Sequence, residues 1–213
     1  ICSDILRKLL LQIRPYEITP GETEKVHAEC LQDLCNTIER TDISLKAKYP
    51  LMVETMENII KKYENIPARY DKTRPLVGIV GEIYCRLDDF TNGELIRVVE
   101  RQGGEAWLAG IAEWVFYTNF MQRFDLTLQG ERFSKSMLGN IVRNKVQAQD
   151  EHLLMQPVHH RFQGYEEVGS IKELVGLASA YLPYYGALGE MVLNAGGSIY
   201  FHNKGADGVI DIS

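Results

Sequence analysis

The chain has 213 residues, 45% of them hydrophobic and 24% charged, with a formal net charge of -6. This composition suits a globular protein with a sizeable core. The acidic balance, without a basic run of five or more, argues against nucleic-acid binding, which needs a clustered cationic surface. No apolar stretch approaches the roughly 20 residues needed to span a bilayer, and Asp4, Arg7 and Lys8 within the first helical pattern exclude a secretory signal, so a cytoplasmic setting without a membrane is expected.

In chain order, Ile5, Leu6, Leu9, Leu10 and Ile13 recur at helical spacing over 4–14, and Pro15 ends that helix. Thr19-Pro20-Gly21-Glu22 predicts a capped start for a second helix, with Thr19 as N-cap and Pro20 in the first turn. That helix runs to about Arg40, carrying Val26, Cys30, Leu31, Leu34 and Ile38 on its apolar side. A third is expected over roughly 43–63, with Pro50 as a point where it would split. Residues 1–72 therefore read as a helical arm or hairpin whose last residues, 66–72, form a linker.

The pattern changes after this linker. The run LVGIVGEIY (76–84) is short, apolar and rich in β-branched residues, and it breaks into charge and turn residues. That is the signature of a buried parallel strand delivering polar groups to its carboxyl end. A helix over 92–102, closed by Gly103-Gly104, leads to a second strand, EAWLAG (105–110). An aromatic segment over 113–124 follows, then helices over 131–154, 170–181 and about 187–203, and a third strand, GVIDIS (208–213). The alternation predicts an α/β, Rossmann-like (flavodoxin-like) three-layer domain over 73–213, with a parallel sheet ordered 2-1-3 and preceded by the N-terminal helical arm. A start inside a helical pattern and a stop on a strand imply a piece of a longer polypeptide, truncated at the C-terminal end of this domain.

Sites in such sheets form in the crevice outside the strand ends. The loop after the first strand gathers Glu82, Tyr84, Cys85, Arg86 and Asn92. Arg86 would favour the Cys85 thiolate, whereas Asp88 and Asp89 would oppose it; the plainer alternative is a loop that caps the next helix through Asp89 or Thr91. Glu113, Trp114, Tyr117 and Asn119 should lie beside this loop if the strands are adjacent, with the aromatic run serving as core or as a ligand platform. Glu82 and Glu113 are the candidate catalytic carboxylates. Tyr185, Gly186 and Glu190 open the last long helix, whose free N–H groups would hold a phosphate or thioester oxygen; close helix–sheet packing through small residues is the alternative.

Neither GxGxxG nor GxxxxGK[ST] occurs, so the chain has no recognised ATP site. Of the four cysteines, Cys30 and Cys35 would point about 140° apart on a helix, poor geometry for a shared metal. Glu151-His152 and His159-His160 are only a weak metal signal.

Five runs, LRKLLLQIRPYEITPGE (6–22), RPLVGIVGEIYCRLDDFTN (74–92), GGEAWLAGIAEWVFYTN (103–119), YLPYYGALGEMVL (181–193) and HNKGADGVIDIS (202–213), carry a family resemblance. In order and spacing they resemble the region shared by the large CoA-substrate-specific enzyme activases and the 2-hydroxyacyl-CoA dehydratase D-component, a family related to 2-hydroxyglutaryl-CoA dehydratase. The resemblance implies a C-terminal-region fragment of an oxygen-sensitive iron–sulfur electron-transfer system. In that family a module with an actin-like fold hydrolyses ATP and delivers low-potential electrons to a dehydratase module for radical dehydration of 2-hydroxyacyl-CoA or related reductions. It further implies a [4Fe-4S]-type cluster held by cysteines at strand ends. Most of those ligands would lie upstream of Ile1 and after Ser213, which leaves Cys85 as the one metal-ligand candidate here.

The candidate cofactor-binding positions are Tyr84, Arg86, Asn92, Trp114, Tyr117, Asn119, Tyr185, Gly186 and Glu190. The implied partners are the actin-like-fold ATPase module, a dehydratase subunit and a CoA thioester. A non-catalytic docking module for the ATPase or a partner subunit, and a simple CoA-thioester-binding Rossmann-like domain, are the alternative readings.

Overall fold

The computed structural model describes residues 1–70, 73–162, 164–166, 168–185 and 189–212. Strands β1 (Leu76–Gly81), β2 (Glu105–Leu108) and β3 (Gly208–Ile212) form an all-parallel sheet in the order β2-β1-β3. The predicted fold class and strand order therefore hold. β1 pairs on both edges and is covered on both faces, which is why its sequence is a continuous apolar run and not an alternating one.

One layer consists of α1 (Cys2–Ile13) and α5 (Leu95–Arg101), which pack with Val77, Ile79, Ala106, Leu108 and Ile210 of the sheet. The opposite layer, α6 (Ala112–Leu128), α8 (Ile171–Ala178) and α9 (Met191–Asn203), packs with Val80, Trp107 and Val209. The β1-to-β2 connection crosses one face and the β2-to-β3 connection crosses the other. Travel in opposite directions on opposite faces gives both crossovers the same hand. The sheet therefore changes direction at β1, the place outside whose carboxyl end open α/β sheets hold their ligands.

The glycines of LVGIVG are required by close approach. A Cβ on Gly78 would sit 2.5 Å from the Phe201 ring, and one on Gly81, where φ is 133°, would sit 1.9 Å from the carbonyl oxygen of Ile212. The missing side chains let α9 and β3 come in against β1.

The N-terminal helices α1, α2 (Glu22–Ile38) and α3 (Leu45–Glu64) form a second core. Leu154 of α7 (Lys135–Met155) joins it, as do Val158 and Phe162 of the following 3-10 stretch, Gln156–Phe162. α1 lies in both cores: Ile5, Leu6, Leu9 and Ile13 face the helices, while Leu11 faces the sheet.

The cap of α2 differs from expectation. Its N-cap is Gly21, and the Glu17 carboxylate accepts from the N–H groups of Gly21 (2.7 Å) and Thr23 (2.8 Å), so Thr19 is displaced by a carboxylate that satisfies two orphan donors. α3 runs unbroken through Pro50, which lies near its start and forfeits a single intrahelical bond. A short helix, α4 (Ile83–Leu87), occupies the loop expected after β1, and α9 begins at Met191 instead of near 187. No helix among the described residues is long and apolar enough to cross a membrane.

Polar ties lock the N-terminal segment to the sheet layer. The 3-10 turn Arg14–Tyr16 presents Arg14, whose Nε lies 3.0 Å from both Glu100 carboxylate oxygens and whose Nη2 lies 2.8 Å from Oε1. Both side chains are about nine-tenths buried. Removing Glu100 leaves the Arg14 guanidinium only a longer, 3.4 Å contact to the half-exposed Glu24, so Glu100→Ala should cost about 3 kcal/mol of stability. Glu94→Ala, which loses a solvent-exposed pair with Arg101, should cost under about 1 kcal/mol. Urea denaturation of the two variants checks the contrast.

Tyr16 also donates its hydroxyl to the buried carboxylate of Glu105 at 2.6 Å. Burial raises the Glu105 carboxyl above its usual range, against the opposing bonds from Tyr16 and Tyr165. A carboxyl raised in the folded state contributes stability that is complete at low pH and is lost as pH rises through its folded value. Thermal melts of Glu105→Gln should therefore exceed the parent at pH 7, with the gap closing as pH falls toward 4.

Candidate functional site

The residues expected to form a crevice begin where β1 ends. The Glu82 N–H donates to the Ile212 carbonyl (3.0 Å), and the chain turns directly into α4. Glu82 is the N-cap of that helix: its carboxylate accepts the Cys85 N–H at 2.8 Å. The backbone bonds from Cys85 and Tyr84 hold its carboxyl below the ordinary range. Tyr84 is largely exposed. Asn92 is committed to structure, donating Nδ2–H to the Cys85 carbonyl (2.9 Å) and accepting the Leu95 N–H (3.0 Å) as a cap for α5. This replaces the Asp89 or Thr91 cap considered from sequence.

For Cys85 the opposing effect prevails, through burial and Glu82 and not through Asp88 or Asp89. Desolvation raises its thiol, and the Glu82 carboxylate raises it further. Arg86, the anticipated activator, turns inward. It is 3% exposed; its Nη2 donates to the Gly110 carbonyl at 3.3 Å and its Nε has no partner. No carboxylate among the described residues forms an ion pair with it. A buried guanidinium held by one long hydrogen bond is an expensive arrangement.

Glu190, at the N-cap of α9, shares this space. Burial raises its carboxyl, the Arg86 charge pulls the other way, and Glu82 pushes it up again. Glu82, Arg86 and Glu190 are thus brought together at the carboxyl end of β1. Two more buried polar atoms without partners sit on helices that start at this end of the sheet: the Tyr117 hydroxyl in α6 and the Asn194 Oδ1 in the first turn of α9.

Other predicted residues go elsewhere. Asn119 faces α7, donating Nδ2–H to Gln147 Oε1 (2.6 Å) while its carbonyl accepts from Asn140 (2.9 Å). Two residues along a helix rotate the side chain by about 200°, so Tyr117 and Asn119 cannot serve one site. Trp114 and Tyr185 are substantially exposed. Gly186 lies outside the described residues, and the helix it was expected to open starts at Glu190–Met191.

Glu113 lines a cavity of about 510 Å³ on the far side of Gly110, between α1, α6, α7 and residues 168–172. Phe116, Phe120 and Phe124 present one face of α6 to it, and Phe162 closes another wall. The Asp4 carboxylate accepts the N–H groups of Ile111 (3.1 Å) and Ala112 (3.0 Å) and so fixes the start of α6. Lys8 is buried in the wall, donating to the Tyr165 carbonyl with its ammonium 4.6 Å from the Phe162 ring centroid and 5.4 Å from that of Trp107. The four-residue period of Phe116, Phe120 and Phe124 was the sequence signal for this cavity; nothing local marks Lys8.

The implied iron–sulfur cluster finds no ligand set in these residues. Cys2 and Cys30 are buried in the helical core, Cys35 lies on α2, and Cys85 is on α4 with a raised thiol. No group of three or more His, Cys, Asp or Glu among the described residues is placed to hold a metal ion. Comparison with protein-family models, with curated proteins and with solved structures finds no match to this chain.

The raised Cys85 thiol should alkylate with iodoacetamide more slowly than a free cysteine peptide at pH 7.5. Glu82→Gln should speed it a few-fold by removing a nearby negative charge, as read by mass spectrometry of the Cys85 peptide.

Proposed function

We propose that this chain is a CoA-thioester-binding α/β module of an acyl-CoA dehydratase–activase type of system. The single observation that carries the reading is Arg86: a buried guanidinium with an unpaired Nε at the carboxyl ends of β1 and β2, where open α/β sheets hold their ligands. A desolvated guanidinium there would donate to a thioester carbonyl oxygen and stabilise negative charge as it develops on that atom. Glu190, whose proton affinity is raised by burial, is the group suited to exchange a proton with the bound acyl portion. Glu82 holds α4 in place and so sets the position of Arg86.

The system to which this module would belong rests on the resemblance of the five runs. The same source supports an ATP-driven iron–sulfur electron-transfer role, and the cysteines of this chain do not supply the ligands for it. A docking role toward an actin-like-fold ATPase or a partner subunit is favoured by a different observation. Leu138, Ile141, Val142 and Val146 form an exposed apolar stripe along α7.

Titration with butyryl-CoA by calorimetry tests the thioester reading. Arg86→Met should weaken binding by about 10- to 100-fold, the loss expected for a charged hydrogen bond. Its melting temperature should stay level or rise, because an unpaired buried charge has been removed. Unchanged affinity would sink the proposal, and a variant that fails to fold would assign Arg86 to structure instead.

A further inference from the structure

We propose that the phenylalanine-lined cavity beside α6 is a second binding site, distinct from the crevice, and that it takes a hydrophobic monocarboxylate. Its volume of about 510 Å³ lies within the range of small-molecule sites. Phe116, Phe120, Phe124 and Phe162 supply an apolar interior for a chain or ring.

The sign of the head group follows from which charges are already committed. The Asp4 carboxylate is spent on the N–H groups that start α6. Glu113 and Glu151 are each engaged in an interaction of their own. The cations on the wall are differently placed. Arg123 uses only Nε, toward Asn140 Oδ1 at 3.2 Å, and its terminal nitrogens have no protein partner among the described residues. The Lys172 ammonium at the edge likewise has no partner among the described residues. A ligand with an apolar body and one anionic end would meet an apolar interior and cations with open valences. A cationic amphiphile would gain nothing from those two groups.

The site is separate from the crevice because the Gly110 carbonyl, which Arg86 holds, stands between them and Arg86 does not line the cavity.

The test uses the whole chain and straight-chain carboxylates from hexanoate to decanoate, with binding read by calorimetry and by tryptophan fluorescence. Affinity should rise about 4-fold per added methylene, and decanoate should bind at least about 10-fold tighter than decanol. The double variant Arg123→Gln, Lys172→Gln should lose that preference while binding decanol unchanged. Ala148→Trp, placed on the cavity wall contributed by α7, should fill the space and abolish binding of both. Decanoate should slow hydrogen exchange along α6 over 116–124 and leave α4 over 83–87 unchanged. Equal affinity for decanoate and decyltrimethylammonium overturns the anionic assignment, and undiminished binding by Ala148→Trp overturns the location. Protection of 83–87 by decanoate overturns the claim of a separate site.

Discussion

The structure depends on one helix being buried from two sides. α1 supplies Ile5, Leu6, Leu9 and Ile13 to the helical core and Leu11 to the sheet. An amphipathic surface helix covers its core with a stripe and turns polar groups to water; α1 has little outer face left, so its polar residues must find partners inside. Asp4 goes to the N-terminus of α6 and Lys8 to the Tyr165 carbonyl and two aromatic rings. Where α1 ends, Arg14 closes on Glu100 of α5. Each of these contacts fixes a wall: α6 and Lys8 for the cavity, α5 for the sheet face behind the crevice.

The crevice shows the complementary economy. Gly78 and Gly81 bring α9 and β3 close to β1, so little open space remains inside the sheet layer. Of the polar groups that reach this region, Glu82 stays exposed and Asn92 partly so, and both are satisfied by backbone groups. Arg86 is the exception. Its chain neighbours are held by capping bonds, which fix its backbone and leave the side chain inward, hydrogen-bonded to a single carbonyl and near the charges of Glu82 and Glu190.

The same physics explains which candidates separated. Tyr117 and Asn119 are both buried, yet helix phase sends one hydroxyl toward the sheet core and the other amide into a polar seam with Gln147 and Asn140 on α7. Phe116, Phe120 and Phe124 share a phase and so share the cavity. The aromatic segment is thus core on one side and cavity wall on the other, and neither alternative alone describes it. Cys85, adjacent in sequence to Arg86, answers to burial and to Glu82, because neighbouring residues on a turn of helix point apart.

Local information was enough for the sheet. The β-branched run of β1, the glycine and proline breaks and the alternation of strand with helix determined three parallel strands in the order 2-1-3, since handedness leaves few other arrangements. Strand and helix periods are written in neighbouring residues, so they can be read without the fold. Helix starts were less legible: α2 is capped by Glu17, several positions upstream, and α9 starts at Met191 without a side-chain cap. Only the tertiary structure decided that Glu190 comes within the electrostatic reach of Arg86, that Lys8 meets Trp107 and Phe162, and that Asp4 sets the start of α6. Those encounters depend on helix phase and on packing between segments distant in the chain, and no local pattern encodes them.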